Sequence, residues 1–168
     1  MKLEREALAH YLDTSWGKDA AKAVWEILGE DIDDMSVELN PQTETKETIL
    51  GKTKVNDKGY QPSISADPFY ADPDSKLYPK VRDIALGRKK GDACKTLMLE
   101  VIVEDTSATK HLAYVQDVLV KPQTYGGGTD GVNFPFNILE NGNRTKGYVT
   151  AESVKTGNPV FAEGEIDG

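Results

Sequence analysis

Few residues in this chain have types and spacings that could do covalent or metal chemistry. Cys94 is the only cysteine, so neither an intrachain disulfide nor a cysteine-based zinc site can form. As a nucleophile Cys94 would need a partnered base, and neither His10 nor His111 stands in a nucleophile motif. Glu30, Asp31, Asp33 and Asp34 suggest calcium, but the Asp-x-Asp-x-Asn-Gly order and its closing glutamate are missing, which leaves a solvated turn. Gly126-Gly127-Gly128 would suit a phosphate if it opened a helix ahead of Lys and Ser or Thr. It leads instead through Thr129-Asp130-Gly131 into a strand-like stretch at 132–136, so a loop between strands is expected. Gly-x-Ser-x-Gly, His-Glu-x-x-His and the dinucleotide fingerprint are all absent from the sequence. The expectation is a non-enzymatic protein with no catalytic residue, no cofactor and no metal.

The elements must then be read for the surfaces they present. The 168 residues suit one domain with a real core. A formal net charge of −8 argues against gripping nucleic acid through its phosphates, though an acidic wall lets a like-charged polymer slide past. No stretch approaches the ~20 apolar residues of a membrane helix, and the opening Met1-Lys2-Leu3-Glu4-Arg5-Glu6 lacks a signal-peptide core. Synthesis in the cytoplasm is expected, with no membrane contact. The Asn143-Arg144-Thr145 sequon has no meaning without secretion.

Hydrophobic periodicity predicts a mainly β chain. Leu3, Ala7, Leu8, Tyr11 and Leu12 recur at helical spacing, predicting an N-terminal helix or a docking arm within residues 1–19. Residues 20–28 lean to helix through their alanines, although Val24-Trp25-Glu26-Ile27 could be a strand. Residues 35–39 alternate as a half-buried strand with Ser36 and Glu38 on the wet face. Residues 40–60 are polar and β-branched, predicting an exposed hairpin, with a turn at Asp57-Lys58-Gly59. Residues 60–67 alternate again. Asp74 or Ser75 can cap a helix that buries Leu77, Val81, Ile84 and Ala85. Apolar runs follow at 97–103, 112–120, 132–139 and 146–150, the last two joined by Asn141-Gly142, a strong hairpin cue. The stretch 151–168, rich in Gly, Glu and Asp, is expected to be a mobile acidic tail outside the 1–150 domain.

In this order the segments resemble the major tail tube protein of long-tailed, siphovirus-type bacteriophages and prophages of Gram-positive bacteria. The match is collinear over about residues 2–150. It is carried by Ala7-Leu8-Ala9-His10-Tyr11-Leu12-Asp13, by Met35-Ser36-Val37-Glu38-Leu39-Asn40-Pro41 and by Glu44-Thr45-Lys46 with Ile49-Leu50-Gly51. Lys58-Gly59-Tyr60-Gln61-Pro62, Asp67-Pro68-Phe69-Tyr70-Ala71-Asp72 and Asn143-Arg144-Thr145-Lys146-Gly147 continue it. The resemblance implies a two-sheet β-sandwich or barrel with one flanking helix, and it favours a strand from about Val24. It also implies a structural virion protein that forms hexameric rings. Those rings would stack into a tube through which DNA is delivered without specific binding. Implied partners are further copies of the chain and tape-measure, tail-terminator and tail-tip proteins, and the implied location is the virion tail. The match ends at Thr150, and the acidic tail at 151–168 departs from the family pattern and has no role assigned by it. A contractile-tail or secretion-system tube protein shares this pattern, and a monomeric ligand-binding β-sandwich is the reading from another class.

Two sets of residues become candidates under that resemblance. Glu38, Asp67, Glu100, Glu104 and Asp117 lie in or just beyond alternating runs and would line an acidic lumen. Thr43, Thr45, Ile49, Leu50 and Val55 belong to the exposed hairpin and would bridge to the next ring.

Overall fold

A computed structural model describes residues 2–166. Asp167 and Gly168, the end of the expected tail, lie outside the described residues. The chain builds one curled antiparallel sheet of nine strands and a separate two-stranded ribbon. The strands are β1 (Leu8–Asp13), β2 (Trp25–Ile27), β3 (Val37–Glu38), β4 (Pro41–Glu47), β5 (Thr53–Tyr60) and β6 (Ser63–Ala66). After helix α1 (Tyr78–Gly87) come β7 (Lys95–Ile102), β8 (Lys110–Pro122), β9 (Phe136–Glu140) and β10 (Thr145–Thr150), then a short helix α2 (Ala151–Lys155) and β11 (Phe161–Glu163). The order across the sheet is β2-β1-β7-β8-β9-β6-β3, with β10 also pairing β8 and carrying β11 on its far side. The mainly β class with a flanking helix is therefore what the chain adopts. The two expected sheets are two arms of one hydrogen-bonded sheet that part at β8.

The parting explains Asn141-Gly142. Residues 118–122 of β8 pair with β9, and residues 110–115 pair with β10 along the same edge. β9 and β10 do not pair with each other, so the expected hairpin there is replaced by a bulge. Residues 141–144 stand opposite Gln116 and Asp117 alone. Positive φ is indeed used, at Gly142 (79°) and Asn143 (52°), but it redirects the strand rather than reversing it. Asn141 N–H donates to the Asp117 carbonyl at 2.8 Å, and Asn143 Nδ2 to the Asp117 carboxylate at 2.8 Å, which pins the bulge to β8.

The expected N-terminal helix is a strand. β1 lies between β2 and β7, inside the sheet. It sends His10 and Leu12 to one face and Tyr11 to the other, and all three are buried. A strand buried on both faces shows no clean alternation, so its apolar residues mimic a helical repeat. Residues 20–28 resolve as expected from the resemblance, with a 3-10 turn at Ala20–Lys22 followed by β2.

Two cores flank the sheet. On one face Leu12, Met98, Val118, Val120, Phe136 and Ile138 meet Leu77, Val81 and Ala85 of α1. The capping position of α1 falls to Leu77 and not to Asp74 or Ser75, but Ser75 Oγ accepts from Leu77 N and Tyr78 N at 3.2 Å each and so steadies the turn that leads into the helix. On the other face Tyr11, Leu97, Leu99, Val101, Val115 and Val149 meet Trp25, with Val154 and Phe161 packed against them. The stretch after Thr150, expected as a tail, thus holds α2 and β11. Its apolar residues are few but fall where β10 has room: a Cβ on Gly147 would strike the Phe161 ring and the Ala162 carbonyl.

Candidate functional site

The hairpin at 40–60 is the distal part of a longer one rooted in the sheet. β3 pairs β6, then the chain leaves the sheet as β4 and returns as β5. Asn40 guards the root. Its Nδ2 donates to the Gln61 carbonyl at 3.1 Å and lies 3.3 Å from Ser63 Oγ. The ribbon is closed at 48–52 by Thr48 N–H to the Lys52 carbonyl at 2.8 Å, with Gly51 at φ 73°. Asp57-Lys58-Gly59, expected as a turn, sits inside β5 at a register shift. Pro41 faces Tyr60 while Thr43 faces Asp57, and Gly59 at φ 89° absorbs the extra residue. Eight residues of β5 carry the tip about 25 Å from the root.

Thr43, Thr45 and Val55 share one face of this arm, all exposed, with Thr45 directly opposite Val55. Ile49 and Leu50 form the tip; Ile49 is fully exposed and Leu50 is 78% exposed. The arm thus displays an apolar pair at the end of an otherwise polar ribbon. All five expected hairpin residues are thus gathered on one projecting element.

The five acidic candidates are not gathered. Register places Glu38, Ser63, Leu139, Leu119 and Lys95 in one row across β3, β6, β9, β8 and β7. Asp117 lies on that same face, opposite Leu97. In this half of the sheet the face is wet: Glu38, Ser65 and Leu139 are exposed, and Asn137 and Asp117 are half-buried. Asp67 and Glu104 are exposed in loops, with an Asp67 oxygen 3.3 Å from Asn133 Nδ2.

Glu100 points to the opposite face, into a polar network that sequence reading missed. Nε2 of the buried His10 donates to its Oε2 at 2.8 Å, and Arg144 Nη2 donates to its Oε1 at 2.7 Å. Arg144 also donates to Gln116 Oε1 at 2.9 Å, lies 4.2 Å over the Tyr114 ring, and has Glu140 Oε1 at 3.9 Å. The His10 hydrogen bond, reinforced by Arg144 against the cost of burial, holds the Glu100 carboxyl at about 2. Burial pushes the Glu140 carboxyl up. The only sequence signal was a polar side chain inside each of two apolar runs, His10 and Glu100, which are 90 positions apart.

Among the described residues no group of His, Cys, Asp and Glu is placed to hold a metal. The glycine run is a closed loop between strands: Gly126 and Asn133 exchange backbone hydrogen bonds at 3.1 and 2.7 Å.

The class these features define is a mainly antiparallel β fold with a flanking helix, a wet sheet face and a projecting arm. The chain shares that fold with a solved structure described as "Tail of empty GTA particle computed with helical refinement, C6 symmetry", GTA standing for gene transfer agent. The two superpose with a TM-score of 0.57 at 12% sequence identity, over 86% of this chain and 98% of that one. No protein-family model matches the sequence, and no curated protein matches it.

Proposed function

We propose that this chain is the structural subunit of a phage-type tail tube, of the long flexible kind found on siphoviruses and prophages. Copies associate into sixfold rings, and the rings stack into a hollow tube that conducts DNA. The tube belongs to the virion tail and meets tape-measure, terminator and tip proteins at its ends. The observation that carries this reading is the likeness of fold, nearly end to end, to a tail chain described with C6 symmetry. The projecting arm with its bare Ile49-Leu50 tip supports it, because such an element has nothing to pack on within its own subunit. The wet face bearing Glu38 and Asp117 is the candidate lumen wall, and the arm is the candidate bridge between rings.

Negative-stain microscopy of the purified chain tests the proposal. Hollow tubes or sixfold rings are expected as concentration rises. A chain that sediments as a monomer at every concentration and salt, with no rings or tubes in the images, contradicts it.

A further inference from the structure

The two ends of α1 carry opposite charge, and neither charge is answered within the subunit. At its C-terminal end a groove is lined by Arg88, Lys89, Lys90 and Lys121, with Tyr125 and the apolar Ile84 among the lining residues and no carboxylate. Arg88 adopts φ 52°, donates to the Ala85 carbonyl, and bonds the Tyr125 hydroxyl at 2.9 Å with its guanidinium 5.3 Å from the ring centre. It is thereby held in place without a counter-ion. At the N-terminal end a cleft is lined by Glu26, Glu30, Asp31, Asp72 and Asp74 and no cation. Glu26 holds the turn before the helix, accepting from Ser75 Oγ and from Lys76 N, while Glu30, Asp31, Asp72 and Asp74 are exposed. Among the described residues none of these four exposed acids, and none of the four groove cations, makes an ion pair.

The helix macrodipole accounts for the sign of charge at each end but not for its extent. Lys121 and Tyr125 come from the end of β8 and beyond it, and Glu30 and Asp31 from the turn after β2. Complementary surfaces at opposite ends of a ten-residue helix, about 15 Å long, cannot meet in one molecule. Only surfaces on two different copies can meet in this way, head to tail, and such a heterologous contact makes a ring when its rotation closes. We propose that the basic groove of one copy seats the acidic cleft of the next copy in the ring. This rests on the reading of the chain as a ring-forming subunit and assigns the surfaces that join neighbours within a ring. The arm's contact, between rings, is separate.

Charge exchange tests it. The triple reversal R88E/K89E/K90E should fold with wild-type circular dichroism and raise the concentration needed for assembly by about tenfold or more, since like charges then face each other. The partner reversal E30K/D31K/D72K should do the same, and an equimolar mixture of the two variants should assemble better than either alone. Mixing K89C with D31C under oxidising conditions should enrich disulfide dimers that join unlike variants. Reversed variants that assemble like wild type, or cross-links in statistical proportion, overturn the assignment while leaving ring formation standing. A triple reversal that assembles normally but loses retention on duplex DNA gives the groove to nucleic acid and overturns the proposal. A wild-type chain that never assembles overturns both this proposal and the reading beneath it.

Discussion

β8 and the β4–β5 arm are both long β structures, yet they are stabilised in opposite ways. β8 has partners along both edges, and from it Val115, Val118 and Val120 enter the two cores. The arm has one ladder of hydrogen bonds and no buried residue; its exposed ion pair, Lys58 with Glu44 at 3.2 Å, adds little. Ordering a backbone costs roughly 1–2 kcal/mol per residue, which burial offsets in β8 and nothing offsets in the isolated arm. The proposed function gives so poorly supported an element a surface to pack on outside its own chain. Under the proposed function, folding and assembly would use separate residues, so each could be damaged alone.

The largest effect is expected in the core. Phe136 is fully buried and packs edge-on against Phe69 at 5.1 Å. Phe136→Ala should cost about 3–5 kcal/mol, read as a lower denaturant midpoint of the monomer. The Glu100 network comes next. Its carboxyl is depressed from an ordinary 4.5 to about 2, so its stabilisation is complete above pH 4.5 and is lost as pH falls through 2. The difference corresponds to about 3 kcal/mol, partly countered by Glu140, whose raised carboxyl works in the other direction. Glu100→Gln should flatten the acid limb of the stability–pH curve between those values. An unchanged limb would remove the network from the account.

The arm should behave in the opposite manner. Ile49→Ser with Leu50→Ser should leave monomer stability within about 0.5 kcal/mol of wild type and abolish tubes. Loss of monomer stability would mean that the tip packs at home, and the contrast with β8 would fail. The smallest effect belongs to the wet face. Glu38→Lys with Asp117→Asn should leave assembly intact and slow DNA passage, more at low salt than at high salt. Identical passage at every ionic strength would remove the electrostatic part of the lumen assignment.

How far the sequence exposes these features follows from local physics. The α1 face and the polar hairpin are local patterns and can be read directly. β1 cannot, because burial on both faces hides its period of two. Asn141-Gly142 shows that positive φ is needed but not what it is for. A hairpin and a bulge use the same backbone, and only the non-local pairing of β8 with two partners decides between them. The His10–Glu100–Arg144 network joins three elements far apart in the chain, so no spacing announces it. The charged ends of α1 are visible as residues, but their isolation from counter-ions is a property of the folded surface.

An arm that packs only on a neighbouring copy should differ between free and assembled protein in the hydrogen exchange of residues 41–60. In the free monomer these amides should exchange within seconds while those of β7 and β8 stay protected. In assembled material the arm should become protected to a degree approaching the core strands. Equal and rapid exchange in both states, or strong protection already present in the monomer, would contradict the account.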